Sequence, residues 1–360
     1  MNLFRNFKSV TKTCYGRGSF SKLDEILEPQ RSANNGYMLF VVDDYFEERH
    51  DFVDRIPERE NDEMLFISVE KEPTTELVDN LRDHVLSRHG LPAGIVGIGG
   101  GSVMDIAKAT ALMFTNQGSS VQYQGLNLIR KPGIWHCGVP TISGTGAEVS
   151  MTAVLTGPVK KLGLKCDWTV FDQILLDPDL IATVPRDQWF YTGMDTYIHS
   201  VEAITGTKKN TFAEAYSEKA LAMCREVFLK LDRKDPKSDE LLMVASYMGG
   251  LSLTYSEVGV CHALSYGLGK VLEIHHCIAN CIAFNKLEDV YGDYVKEFKG
   301  MVKHLNVNIP QGLAKEWSEK TISAMADVAY DLPHMWDHAF GPEWQKVLDR
   351  ERIKGWYRRM

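Results

Sequence analysis

The chain has 360 residues, which suits roughly two domains of the usual ~100–200 residues and cores large enough to need no staples. Its 44% hydrophobic, 24% charged and 10% aromatic residues are an ordinary globular composition, which excludes disordered and fibrous classes. Forty Lys and Arg against 48 Asp and Glu leave a net charge of -8 with no long run of one sign, so nucleic acid is not an expected partner.

Seven cysteines (Cys14, Cys137, Cys166, Cys224, Cys261, Cys277 and Cys281) are odd in number and include no C-x-x-C pair. That pattern argues against a disulfide framework and for a reducing, cytoplasmic setting. Residues 1–20 are interrupted by Arg5, Lys8, Lys12 and Arg17 and offer no apolar core of signal-peptide length. The longest mostly apolar stretch, 241–253, is too short and too rich in Ser, Tyr and Gly to span a bilayer, so membrane insertion is not expected.

Along the chain, residues 37–42 read as a buried strand ending at Asp43 and Asp44, and 64–69 as a second strand ending near Pro73. Thr75–His89 places Leu77, Leu81, Val85 and Leu86 at helical spacing, and Gly90 with Pro92 stops it. Residues 94–98 form a third strand that runs into Gly99, Gly100, Gly101 and Ser102, followed by a helix with Val103, Ile106, Ala107 and Ala111 on its apolar face. A further strand over 134–139 leads into a second small-residue loop, Thr141 to Glu148. Short strands alternating with amphipathic helices predict an α/β domain with a mostly parallel sheet. Beyond Pro185 the texture turns helical, over 186–204, 212–231 and 239–253, which predicts an α/β domain at 1–184 and an all-α domain at 185–360. The end, from Tyr330 on, carries Trp336, Trp344 and Trp356 among charged residues and is assigned a helical or capping role.

Consecutive glycines between a strand and a helix let the backbone approach a pyrophosphate, whose charge the free N–H groups of the first helical turn then bind. The strict G-x-G-x-x-G fingerprint fails because position 102 is Ser, and a tight turn is the plain alternative. Asp43, at the end of a strand, can accept hydrogen bonds from an adenosine ribose and repel a 2′-phosphate, which favours NAD over NADP; a turn aspartate is the alternative. The hydroxyls and N–H groups of the second loop could hold a phosphate or a ribose.

Asp195 and His199 stand four apart, on one face of a helix, where a carboxylate and an imidazole can grip one divalent ion. Farther on come His262 and the doublet His275-His276, so one aspartate and three histidines would make an N3O site suited to Fe²⁺ or Zn²⁺. Spacing alone leaves the doublet open, and Cys261, Cys277 and Cys281 match none of the common structural zinc patterns.

Between about Phe20 and Lys286 the sequence resembles the iron-containing, or group III, alcohol dehydrogenase family. The resemblance rests on Gly99-Gly100-Gly101-Ser102 with Asp105, Pro140-Thr141 leading to Gly144-Thr145-Gly146-Ala147-Glu148, Asp177-Pro178, the run Gly193 to His199, and His262 with His276. It implies an N-terminal dinucleotide domain and a helical metal domain, with metal ligands Asp195, His199, His262 and His276. It also implies NAD contacts at Asp43, Gly100, Gly101, Ser102, Asp105, Thr141, Thr145, Lys161 and Leu180. Many members carry a proton-passing histidine four residues after the third ligand; here that position is Tyr266, so Tyr266 and His262 are the expected catalytic residues. The segment from about Leu313 is shorter than the usual ending and unlike it.

The implied reaction is oxidation of a primary alcohol to an aldehyde with hydride transfer to NAD, helped by one Zn²⁺ or Fe²⁺. The short chain, Tyr266 and the Trp-rich end are most similar to members acting on an acidic sugar, at the C8 hydroxyl of 3-deoxy-manno-octulosonate (Kdo). Lys208, Lys209, Arg130 and Lys131 are the candidate cations for its carboxylate, and a homodimer is the expected assembly. A general short-chain alcohol or polyol dehydrogenase and a dehydroquinate synthase-like lyase are the alternatives.

Overall fold

The computed structural model describes residues 7–34 and 36–360; residues 1–6, with Arg5 of the leading stretch, lie outside the described residues. The chain divides into two compact units, one of residues 1–142 and 147–183, the other of residues 143–146 and 184–360.

The first unit is built on a six-stranded sheet in the order β1-β9-β6-β4-β2-β3, every pairing parallel. Its strands are β1 (Lys12–Tyr15), β2 (Met38–Asp43), β3 (Glu63–Ile67), β4 (Gly94–Gly99), β6 (Trp135–Pro140) and β9 (Gln173–Leu176). Strands β5 (Gly125–Leu126), β7 (Thr152–Thr156) and β8 (Lys161–Lys165) form a separate small sheet. The helices are α1 (Leu23–Asn34), α2 (His50–Val53), α3 (Thr75–His89) and α4 (Gly101–Met113). Strands β2 and β4 are fully or nearly fully buried, as expected for parallel strands covered on both faces, which read as apolar runs rather than alternations. Phe40, Val42, Val96, Ile98 and Val139 share one core with Phe20, Phe46 and Phe52, whose rings stack.

From β2 the chain passes outward to β3, then returns to the other side of β2 for β4 and continues to β6 and β9. The order therefore reverses between β2 and β4, and the crevice at the carboxyl ends of such strands is where α/β sheets take ligands.

The second unit is helical: α5 (Arg186–Thr205), α6 (Thr211–Leu229), α7 (Pro236–Tyr255), α8 (Val260–Leu272), α9 (His276–Phe284), α10 (Glu288–Tyr291), α11 (Asp293–Leu305), α12 (Glu319–Tyr330), α13 (Pro333–Phe340) and α14 (Arg350–Tyr357). Helix α5 is its axis, buried almost continuously from Thr192 to Ala203 and packed against α6, α7 and α9. Residues 143–146 join this unit for a steric reason. Gly144 has φ +147° and lies so close to α5 that a Cβ would stand 1.7 Å from the Thr192 carbonyl oxygen, while the Thr196 hydroxyl donates to the Gly144 carbonyl at 2.6 Å. The tail is a packed element. Trp336, Trp344 and Trp356 are buried together, and the Tyr357 hydroxyl donates to the Leu264 carbonyl of α8 at 2.8 Å. The described residues contain no helix long and apolar enough to cross a membrane, and none of the seven cysteines is in a disulfide among them.

Candidate metal centre and cofactor loop

Helix α5 presents Asp195, His199 and Glu202 at i, i+4 and i+7, a single stripe of a 3.6-residue helix. His262 comes from the first turn of α8, and His276 from the first position of α9. His262 Nε2 is 3.3 Å and His199 Nε2 3.5 Å from Asp195 Oδ1; His276 Nε2 is 3.7 Å from Asp195 Oδ2. The donor atoms of Asp195, His262 and His276 all lie within 4.8 Å of one another. His199 stands at the edge of that trio, its ring stacked on His262 with centroids 4.6 Å apart and an interplanar angle of 15°. The doublet is separated by geometry, because His275 is exposed at the N-cap of α9 while its neighbour turns toward Asp195.

Electrostatics bind the cluster together. Burial alone would push the Asp195 carboxyl up, yet the three histidines outweigh it and hold it well below the usual carboxylate range. Burial pushes the His199 imidazole down to about 4. Burial also opposes charge on His262, but Glu202 and Asp195 prevail and raise it to about 9.

The donor set fits a divalent transition ion. One carboxylate and three imidazoles converge in a largely buried site, with His276 at its partly exposed side, and His199 Nδ1 and Asn280 Oδ1 are buried polar atoms with no protein partner. The cysteines do not compete as a thiolate cage. Cys277 Sγ is 3.9 Å from Asp195 Oδ2, whereas the Cys261 thiol donates to the Asn280 carbonyl and burial pushes the Cys281 thiol well up. Tyr266, buried one turn beyond His262, meets the His276 ring edge-on with centroids 6.1 Å apart.

Sequence reasoning missed two residues here. The Asn280 side-chain nitrogen reaches Asp195 Oδ1 at 2.7 Å and the Nε2 atoms of His262 and His276 at 3.2 Å each. Glu202 lies against the far side of His262, with Oε2 2.5 Å from Nδ1. Both were detectable as helix-face partners, since Glu202 falls seven after Asp195 and Asn280 four after His276.

In the first unit, several expected NAD contacts gather at the carboxyl edge of the parallel sheet. Asp43 ends β2, Gly100–Ser102 follow β4, Thr141 follows β6 and Leu180 lies in the turn after β9. A Cβ on Gly99 would meet Val103 at 2.6 Å and the Asp43 Cβ at 3.1 Å, and one on Gly100 would meet Ile142 at 2.9 Å. Helix α4 opens at Gly100 without a side-chain cap, which leaves its first-turn N–H groups to an anion. The cradle suits a dinucleotide pyrophosphate. Half-buried Asp43 accepts the Tyr45 N–H through Oδ1; burial raises its carboxyl above the ordinary range.

Three further expected contacts sit on other segments. Asp105, one turn into α4, accepts the Val154 N–H at 3.0 Å. Lys161 sits on the small sheet with its ammonium 3.2 Å from Glu72. Thr145 belongs to the helical unit. Among the candidate cations, the Lys208 ammonium donates to the His334 carbonyl at 3.1 Å.

Residues 10–178 match the model for iron-containing alcohol dehydrogenase, and residues 189–337 match that for the Fe-containing alcohol dehydrogenase family, C-terminal. The chain belongs to the iron-containing alcohol dehydrogenase family. It is similar to the NAD-dependent methanol dehydrogenase of Bacillus methanolicus, 30% identical over 192 residues, or 52% of this chain and 50% of that protein. The chain thus spans about half the length of that curated relative. Its fold is that of 1,3-propanediol oxidoreductase (TM-score 0.82, 20% identity, 99% of each chain). The sulfoacetaldehyde reductase of Bifidobacterium kashiwanohense, solved with NAD⁺, shares that fold too (TM-score 0.80, 18% identity, 99% of this chain and 98% of that one).

Proposed function

We propose that this chain is an NAD- and metal-dependent oxidoreductase that converts a primary alcohol into an aldehyde, with the C8 hydroxyl of Kdo as its substrate. The observation that carries the reaction class is the largely buried convergence of Asp195, His199, His262 and His276 on three helices. In this reading residues 1–184 serve the dinucleotide and residues 185–360 the metal and substrate, in a cytoplasmic homodimer.

When bound, the divalent ion supplies Lewis acidity that lowers the pKa of an alcohol hydroxyl, and NAD⁺ accepts the hydride. Asp195 and the three imidazoles fix the ion, while Tyr266 passes the hydroxyl proton toward solvent. Gly100, Gly101 and Ser102 hold the pyrophosphate by backbone N–H groups, and Asp43 holds the adenosine ribose. The balance is one alcohol and one NAD⁺ giving one aldehyde, one NADH and one proton. Support for the acidic sugar comes from Tyr266 in place of the family's histidine and from the Trp-rich tail.

The test is NADH formation with Kdo, a short aliphatic alcohol and a neutral hexose, each with NAD⁺ and added Zn²⁺ or Fe²⁺. The highest kcat/KM is expected for Kdo. A higher value for the simple alcohol removes the acidic sugar and leaves a general alcohol dehydrogenase; turnover without net NADH points instead to the lyase chemistry.

A further inference from the structure

Glu202 is almost completely buried, at 1% exposure, and both of its carboxylate oxygens are engaged. Oε1 accepts the Cys261 N–H at 2.7 Å and the Tyr291 hydroxyl at 2.6 Å; the same Tyr291 oxygen accepts the Val260 N–H at 3.1 Å. Oε2 is 2.5 Å from Nδ1 of His262. An ionised carboxylate only accepts, so at Oε2 the imidazole must donate, and the proton sits on Nδ1. The opposite ring nitrogen, Nε2, is the one that faces Asp195 at 3.3 Å.

The carboxylate is also fixed at its base. The Glu202 backbone carbonyl accepts the His338 Nε2–H at 2.8 Å, and His338 Nδ1 accepts the Lys208 N–H at 3.2 Å. Helix α13 therefore grips the last turn of α5. A Cβ on Gly206 would stand 2.1 Å from the His338 ring, so the glycine makes room for that grip.

We propose that Glu202 is a positioning residue of the metal centre, holding His262 in the Nδ1–H tautomer and in the orientation that presents the Nε2 lone pair to the ion. The inference rests on the metal-dependent reading of the site. A histidine with its proton on Nε2 has no lone pair to give at that atom, so the carboxylate acts on affinity through the ring and not by contact with the ion.

The experiment compares wild type with Glu202→Gln and Tyr291→Phe in the full chain, measuring Zn²⁺ affinity by chelator competition and the His262 ring nitrogens by ¹⁵N NMR of the Zn²⁺-loaded protein. A glutamine at 202 cannot accept from both His262 and the Cys261 N–H. Zn²⁺ affinity is expected to fall roughly 10- to 100-fold with the metal-free Tm within a few degrees of wild type. Tyr291→Phe removes one of the two donors to Oε1 without touching the ring and is expected to give a smaller loss of the same sign. In wild type, His262 is expected to show a protonated Nδ1 and a Zn²⁺-bound Nε2. Unchanged affinity in Glu202→Gln, or a wild-type His262 protonated at Nε2, overturns the proposal while the metal site stands. Absence of Zn²⁺ binding by wild type overturns both. Should Glu202→Gln not fold, the wild-type nitrogen assignment and Tyr291→Phe decide.

Discussion

The side-chain amide of Asn280, on α9, donates to Oδ1 of Asp195, on α5, at 2.7 Å. It ties the carboxylate of one helix to the helix that carries His276, and the same nitrogen lies 3.2 Å from the Nε2 atoms of His262 and His276, so one amide touches all three donor atoms of the trio. Asn280→Ala is expected to weaken divalent-metal affinity about 10- to 100-fold, as loss of an outer partner does. Asn280→Asp sets a second carboxylate beside Asp195 and is expected to lower the metal-free Tm while added Zn²⁺ restores it. Thermal melts with and without metal separate the two variants.

Metal content distinguishes the two members of the histidine doublet. Metal analysis after purification with Zn²⁺ is expected to find about one equivalent per chain in wild type and His275→Ala, and a large loss in His262→Ala and His276→Ala. Loss in His275→Ala with retention in His276→Ala would reverse the assignment.

Cofactor choice should depend on pH through Asp43. Burial raises its carboxyl above the ordinary range, so in the proposed ribose site the charge that would repel a 2′-phosphate is complete only above that raised value. Preference for NAD over NADP is expected to be greatest at high pH and to shrink as pH falls, and Asp43→Asn should cut it by roughly tenfold at neutral pH. The stability sign is opposite. A carboxyl whose folded-state pKa is raised binds more protons folded than unfolded, so stability falls as pH rises from the unfolded to the folded pKa. Asp43→Asn is therefore expected to raise the Tm at neutral pH while it erodes discrimination; NAD and NADP titrations alongside melts test both halves.

Gly144→Ala tests the steric role of the second loop. A methyl group 1.7 Å from the Thr192 carbonyl oxygen, at φ +147°, forces the loop off α5. The expected cost is about 3 kcal/mol or more, read as a lower Tm or loss of soluble protein. A Tm within 1–2 °C of wild type, a shift worth only ~0.5 kcal/mol in a domain of this size, would show that the loop is free to move.

The parts of this molecule that announced themselves in sequence were those with periodicity. Asp195 and His199 declare one helical face, and Thr75–His89 is bounded by its own Gly90 stop, so α3 appears with the expected limits. Glu202 shares the Asp195 face, but a glutamate near a helix end reads as solvated until the pairing of α5 with α8 puts His262 against it. Asn280 carries no charge to draw notice. The glycine fingerprint fails at Ser102, and topology obscures it further: the glycine loop follows β4 while the acidic residue ends β2, on opposite sides of the reversal, so the chain order of the two signals is inverted. Lys161 and Asp105 illustrate the converse, since a motif position says nothing of which neighbour a charge finds, here Glu72 and the Val154 N–H.

The tail also offers a means of observation. Trp336 and Trp356 lie nearly parallel, 8° apart with ring centroids 6.3 Å from one another, and the Trp336 indole N–H donates to the Ala329 carbonyl at 2.8 Å. Two indoles so fixed couple their electronic transitions, so the docked tail should carry a near-ultraviolet circular dichroism signature of its own. Because the same segment supplies His338 beneath Glu202, that optical signal would follow, without any added label, whether the floor of the metal centre is in place.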